Sequence, residues 1–163
     1  MVDSALIWLV LVKWLHVVSA SVWLGGLITT TIIFRGARSA FEPQAASEFM
    51  GMVGRVIATP MRVSLYIAMA TGVINAMNRG FGFNDLLHLP QAGLPGWALL
   101  LKLALAPSVL LLAIYHTRVG RLLSRAPSPP HRQLLRRRMI VAGRLALLLT
   151  VVLTVLGSLL RFT

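Results

Sequence analysis

The sequence predicts an all-α integral membrane protein, folded as an antiparallel four-helix bundle. Apolar residues make up 57% of the 163-residue chain and charged residues only 12%, about half of their share in soluble domains. The apolar residues form four runs, and each is long enough to cross the roughly 30 Å hydrocarbon core of a bilayer as a helix. The length of the chain favours one transmembrane domain over residues 1–163.

The four spans are predicted at about residues 5–34, 60–78, 96–123 and 139–160. The segments between them read "RGARSAFEPQ", "NRGFGFNDLLHLPQAGLPG" and "SRAPSPPHRQ", and their glycines and prolines are typical of turns. Residues 43–58 have an amphipathic pattern, which predicts a helix that lies near the membrane interface and leads into the second span. Pro60 then either begins the second span or kinks the junction, because proline lacks the N–H that a helix needs.

The charge distribution predicts the orientation of the chain. The net charge is +12, from 16 Lys and Arg against 4 Asp and Glu. Most of the arginines flank the first and third connections, whereas the middle connection contains only Arg79. Short loops rich in basic residues stay in the cytoplasm, so both termini are predicted to lie outside a bacterial-type inner (plasma) membrane. The lipid bilayer is therefore the expected partner, and nucleic acid is not, since no aromatic–basic motif accompanies the charge.

Several classes of chemistry are disfavoured by composition alone. The chain has no cysteine, which excludes disulfides, zinc–thiolate sites and thiol redox chemistry. No predicted span contains a carboxylate, which argues against a proton pump built on Asp or Glu relays.

Each predicted span carries one stripe of small and polar residues three and four positions apart, the pattern that faces neighbouring helices in membrane bundles. His16, Lys102 and His116 fall on these stripes. In the first two spans the stripes consist of His16, Ser19, Ala20, Trp23, Gly26, Leu27 and Thr30, and of Ser64, Ala68, Thr71, Gly72, Asn75 and Asn78. In the last two they consist of Lys102, Ala106, Val109, Ala113, His116 and Gly120, and of Gly143, Leu147, Thr150, Thr154, Gly157 and Arg161.

His16 is the leading candidate for a ligand. An ionisable group inside a membrane is functional by default, and a neutral imidazole is a common axial ligand of haem iron. Trp23 lies two turns further along the same stripe and is placed to stack on a flat macrocycle. Small residues leave room for such a group: Ser19, Ala20, Gly25 and Gly26. The alternative is a structural histidine that bonds to Asn75 or to a backbone carbonyl.

Lys102 and His116 are the candidates in the third span. Lys102 lies in the outer half of the bilayer, where its ammonium either reaches the membrane surface or pairs with a porphyrin propionate. The predicted depths of His16 and His116 differ by roughly 14 Å, which disfavours a shared iron. His16 is therefore expected to be a single axial ligand, unless the bundle holds sites at two depths with His116 at the second.

Methionines offer an alternative based on copper, because thioethers are soft ligands for Cu(I). Those of the first half of the chain are Met50, Met52, Met61, Met69 and Met77. They do not share one helix face, and methionine also fills gaps in helix packing.

Three segments resemble the CopD-like and HemJ-like four-helix membrane proteins. "LHVVSASVWLGGL" is similar to the first-helix signature of that group, and "FMGMVGRVIATPM" to the HemJ-type approach to the second helix. "GWALLLKLALAPSVLLLAIYHTRVGRLLSR" resembles the HemJ third helix. The resemblance covers most of residues 8–125. It implies a haem b-binding redox protein that oxidises a porphyrinogen, as a protoporphyrinogen oxidase does, or passes electrons to quinone.

Carried over by position, the resemblance assigns the activity to His16 and Lys102. The expected haem ligands are His16 and, at a second site, His116. Porphyrin-contacting residues are then expected to be Trp23, Asn75, Lys102 and either Arg62 or Arg161. Two alternatives remain open: a CopD-like copper transport or resistance protein, and a cofactor-free accessory subunit of a larger membrane complex. A homo-oligomer is also compatible with the sequence.

Overall fold

The computed structural model describes residues 3–78, 88–124 and 128–160, without the side chains of Ala92 and Ser124. Four long helices form this part of the chain: α1 (Ser4–Ala40), α2 (Pro43–Met77), α3 (Leu94–Ser124) and α4 (Pro129–Leu159). A short 3-10 helix, Leu89–Ala92, precedes α3. No strand occurs in the described residues, so the all-α prediction is confirmed.

All four helices are long and apolar enough to cross a membrane. In the most apolar 18-residue window of each helix, no more than 17% of the residues are buried within the chain. The remaining surface is lined with exposed leucines, valines, isoleucines and tryptophans. Such a continuous apolar surface associates in water, and lipid is the solvent that accommodates it. The structure therefore supports a multi-pass membrane protein.

The chain divides into two compact units, Met1–Phe81 and Gly82–Thr163, and each contains one helical hairpin. In the first hairpin, His16 lies against Gly72 and Gly26 lies against Met61. Residues later in α1 therefore contact residues earlier in α2. In the second hairpin, Lys102 meets Gly157 and His116 meets Gly143. Both hairpins are therefore antiparallel.

The helices extend beyond the predicted spans. The spans were predicted from hydropathy, whereas capping residues and prolines determine where a helix begins and ends. The Asp3 carboxylate accepts a hydrogen bond from the Ala5 N–H at 3.0 Å and caps α1. At its other end α1 continues through the charged residues past position 34 to Ala40. Pro43 and Pro129 occupy the first turns of α2 and α4, where the missing N–H has no helical partner to lose.

The helix predicted over residues 43–58 and the second span form one continuous helix, α2, which runs from Pro43 to Met77 with Pro60 inside it. Proline in a helix interior removes a single hydrogen bond, and membrane helices tolerate this loss. Pro107 is accommodated inside α3 in the same way. An internal proline therefore does not by itself mark the end of a membrane-spanning helix in this protein.

Candidate functional site

The predicted stripes are the less exposed faces of the helices. Every predicted stripe residue of α1 and α3 is buried or half-buried. The prediction is wrong at Asn78, the C-cap of α2, and at Thr154 in α4, because both side chains are exposed. Trp23 is only 6% exposed, which is a small value for the largest side chain in the protein. The stripe containing His16 is thus a packed surface, whereas the opposite face of α1 is apolar and exposed.

His16 is held by hydrogen bonds to α2. Its ring nitrogen Nδ1 lies 2.9 Å from the Ala68 carbonyl oxygen and 3.2 Å from Thr71 Oγ1. The Thr71 hydroxyl lies 2.6 Å from the Ile67 carbonyl oxygen, to which it donates. The Thr71 oxygen is therefore oriented to accept from His16, so a single Nδ1–H group serves both contacts.

These partners determine the tautomer of a neutral His16 ring. A carbonyl oxygen only accepts hydrogen bonds, so Nδ1 must carry the proton. The lone pair of the neutral imidazole then lies on Nε2, the nitrogen that acts as a metal ligand or hydrogen-bond acceptor. Histidines that bind metals show this arrangement, with the second ring nitrogen donating to a carbonyl or carboxylate. The hydrogen bond from His16 to a backbone carbonyl, which was the structural alternative to a ligand role, is therefore present at Nδ1. It does not conflict with metal ligation by Nε2.

Gly72 makes the close approach of the two helices possible. A methyl group added at Gly72 would lie 3.2 Å from Cε1 and 3.6 Å from Nδ1 of His16, which is closer than carbon atoms normally pack. The edge of the His16 ring that carries Nδ1 and Cε1 thus lies close to the backbone of α2 at Gly72. A glycine at this position keeps the Ala68 carbonyl within hydrogen-bonding distance of the ring.

Asn75 and Arg62 lie on either side of this contact along α2. Asn75 is half-buried and follows Thr71 by one turn, about 6 Å along the helix. Arg62 precedes Thr71 by about 14 Å along the axis, and its guanidinium donates to the Ala58 carbonyl and to Thr59 Oγ1 at 3.2 and 3.3 Å. Of these two predicted porphyrin contacts, Asn75 is the one near the level of His16.

Lys102 belongs to the second hairpin and lies against the end of α4. Its ammonium nitrogen would be 3.0 Å from a methyl group added at Gly157, which lies two residues before the last residue of α4. A cation at a helix C-terminus is favoured by the partial negative charge of the terminal carbonyl groups. The structure thus places a half-buried lysine ammonium beside a helix end.

His116 lies in a different part of the second hairpin from Lys102. The two residues are separated by about 21 Å along α3, and the ring of His116 faces Gly143 of α4. His16 belongs to the first hairpin, and Lys102 and His116 belong to the second. The predicted porphyrin contact Arg161 lies outside the described residues.

The sequence pattern placed Ala68, Thr71 and Gly72 on the α2 stripe but did not identify them as the partners of His16. The length of the connection could have indicated these partners, because α1 and α2 are joined by only two residues. In so short a connection, residues equally far from the turn lie side by side. Counting outward from Phe41 and Glu42 brings His16 to within one turn of Thr71.

No group of three or more His, Cys, Asp or Glu side chains arranged to hold a metal ion is present in residues 3–78, 88–124 and 128–160. Haem does not require such a group, since the porphyrin supplies four nitrogen ligands and the protein supplies the axial ones. The protein ligand that haem needs is thus an imidazole with a lone pair available for iron, rather than a cluster of three side chains.

Comparison of the chain with protein-family models, with curated proteins and with solved structures finds no match.

Proposed function

We propose that this protein is a haem b-binding membrane redox protein and that Nε2 of His16 is an axial ligand. The observation that supports this most directly is the hydrogen bond from Nδ1 of His16 to the Ala68 carbonyl, because it leaves the lone pair of the neutral ring on Nε2. The ring lies on an apolar span, where haem is normally sequestered from water. When bound, haem supplies reversible one-electron transfer.

The residues of the first hairpin have distinct roles in this proposal. Ala68 and Thr71 fix the plane and tautomer of His16, and Gly72 lets the ring approach α2. Trp23 provides a large buried aromatic surface on the same stripe. The resemblance to CopD-like and HemJ-like proteins directs the choice of substrates to assay, namely a porphyrinogen as electron donor and a quinone as acceptor.

The direct test is a visible spectrum of the full-length protein purified in mild detergent, both oxidised and dithionite-reduced, beside metal analysis. We expect a Soret band and sharp bands in the reduced state, with iron as the bound metal. Stoichiometric copper without a Soret band would instead indicate a copper-handling protein. The absence of both would indicate an accessory subunit without a cofactor and would contradict the proposal.

We also propose that both termini face outward from a bacterial-type inner membrane, with the arginine-rich connections in the cytoplasm. The native chain contains no cysteine, so single-cysteine labelling is free of background. In intact cells a membrane-impermeant maleimide should modify Ser4→Cys but not Ser39→Cys or Gln133→Cys, all at exposed positions. The latter two should react only after permeabilisation. The opposite pattern would show that the orientation is reversed.

A further inference from the structure

We propose that the face of α4 that points away from α3 binds the headgroup of an anionic phospholipid through Arg137 and Arg144. This inference goes beyond haem binding at His16 and does not depend on it, because both arginines belong to the other unit of the chain. It rests on the position of the two arginines on one exposed stripe of α4, on their depth in the membrane, and on the lack of carboxylates in α3 and α4.

The exposed stripe of α4 lies on the side opposite to the contact with α3. Leu135 packs with Val119 of α3, and the other buried residues of α4 lie on the same side as Leu135: Ala142, Ala146 and Thr150. The stripe consists of exposed residues on the other side: Leu134, Arg137, Val141, Arg144, Leu148, Val151 and Val155. Their spacing of three and four residues places them on one helix face. This face is apolar except at Arg137 and Arg144.

The register of the second hairpin gives the depth of Arg144. Three contacts define this register: Lys102 with Gly157, His116 with Gly143, and Gly120 with Met139. Each step forward along α3 corresponds to an equal step backward along α4, which brings Arg118 level with Val141. Arg118 is the first basic residue of α3 after Lys102, and Arg144 lies about 4.5 Å further from the connection between α3 and α4. Arg144 is therefore the deepest of the arginines that flank this connection.

This depth directs the guanidinium of Arg144 toward Arg137. The helix from Arg144 to its last residue, Leu159, spans about 22 Å, which is less than the roughly 30 Å of the hydrocarbon core. The side chain of Arg144 must therefore extend toward the connection to reach the lipid headgroups. Side chains of a helix lean toward its N-terminus, and for Arg144 this is the direction of Arg137. Because Arg137 lies about 10.5 Å away on the same stripe, both guanidinium groups can reach a phosphate between them.

The counter-ion of these two arginines has to come from outside the second hairpin. No Asp or Glu follows Asp85 in the sequence, so neither α3 nor α4 contains a carboxylate. Among the residues that the structure describes, no hydrogen bond or ion pair involves Arg137 or Arg144. A guanidinium group is well suited to phosphate, since its N–H groups can bind two oxygens at once. The charge of this face is therefore complementary to an anionic headgroup.

The apolar part of the stripe favours a lipid over a soluble anion. Beyond Arg144 the stripe continues for about 17 Å through Leu148, Val151 and Val155, which are 43–60% exposed. An anionic phospholipid carries its phosphate above two acyl chains, so the phosphate would contact the arginines and the chains would contact these apolar residues. Clusters of basic residues next to a membrane helix typically bind such headgroups.

The test is native mass spectrometry of the full-length protein in mild detergent, titrated with phosphatidylglycerol or with phosphatidylcholine. Both lipids contain a phosphodiester, but only phosphatidylglycerol has a net negative charge. We expect the first phosphatidylglycerol to bind at least about fivefold more tightly than phosphatidylcholine, since each basic residue near an anionic headgroup contributes about that factor. Arg137→Gln and Arg144→Gln should each weaken phosphatidylglycerol binding by about fivefold. Arg144→Lys, which keeps the charge, should weaken it less.

Arg136→Gln is the matched control. It removes the same charge from an adjacent exposed position, but residue 136 is rotated by about 100° from Arg137 around the helix, so phosphatidylglycerol affinity should be unchanged. An equal loss in all three glutamine variants would show general attraction between charges and would overturn the proposal. Excess inorganic phosphate should leave the lipid bound. Complete displacement by phosphate would indicate a site for the free anion and would also overturn the proposal.

Photo-cross-linking of the native protein in phosphatidylcholine vesicles provides a measurement that needs no variant. A phosphatidylglycerol probe with a diazirine in its acyl chain should label residues 145–155 more strongly than the corresponding phosphatidylcholine probe. Equal labelling of this segment by the two probes, or equal affinities for the two lipids, would contradict the proposal. Failure of the haem proposal is recognised separately. His16→Ala should leave phosphatidylglycerol affinity unchanged, and Arg144→Gln should leave the Soret band unchanged.

Discussion

Replacement of His16 by alanine should reduce the haem content of the purified protein to about a tenth or less of the native level. The substitution removes the nitrogen that the proposal places on the iron, while Ala68 and Thr71 retain hydrogen bonds within α2. The measurement is the Soret absorbance per protein in oxidised and dithionite-reduced samples. Free imidazole added to the variant should restore part of the absorbance, because it can occupy the space left by the ring.

His131→Ala is the matched control for this substitution. His131 is exposed in the first turn of α4, so its removal should leave the spectrum unchanged. Imidazole rescue separates the loss of a ligand from a general disturbance of the hairpin, which added imidazole would not repair. A His16→Ala protein with a native Soret band would exclude His16 as the axial ligand.

Substitution of Gly72 by alanine should both destabilise the first hairpin and weaken haem binding. The new methyl group would approach the His16 ring to 3.2 Å, so the ring must move away from α2 and lengthen its hydrogen bond to the Ala68 carbonyl. Overpacking of this kind costs about 1–3 kcal/mol. Loss of the partner that orients a ligating histidine typically weakens binding by about tenfold or more.

The measurements are the free energy of unfolding in mixed micelles titrated with SDS, and haem affinity by transfer to a competing haem-binding protein. Gly36→Ala is the control, because a methyl group at Gly36 of α1 would have open space around it, with no atom within 4 Å beyond its own helical backbone and chain neighbours. That change should stabilise α1 by about 0.5–1 kcal/mol through helix propensity alone. Equal effects of the two substitutions would show that His16 is not packed against Gly72 as described.

The sequence was sufficient to predict the helical class because membrane spans are governed by a one-dimensional property. A segment that crosses lipid must bond its backbone internally and be apolar over about 20 residues, and both conditions are visible in composition. The ends of the helices were less predictable. α1 extends to Ala40 through Arg35 and Arg38, and α2 continues through Pro60, because helix ends depend on local hydrogen bonding rather than on hydropathy.

The less exposed faces were also largely predictable, since small and polar residues at helical spacing identify helix–helix contacts. The stripe from His16 to Thr30 is buried or half-buried throughout. What the stripe could not specify was the partner of each residue. Asn75 and a backbone carbonyl were both possible hydrogen-bond partners of His16. The register of α1 and α2 decides between them, because it places the Ala68 carbonyl at Nδ1.

The sequence by itself thus determined that this is an all-α membrane protein in which His16, Lys102 and His116 lie on the less exposed helix faces. The tertiary structure alone decided which ring nitrogen of a neutral His16 carries the proton. It also decided that His116 faces Gly143 and that Met139 faces Gly120. These are properties of pairs of residues far apart in the chain. They depend on the axial register of two helices to within a fraction of a turn, a distance of a few ångströms that hydropathy does not encode.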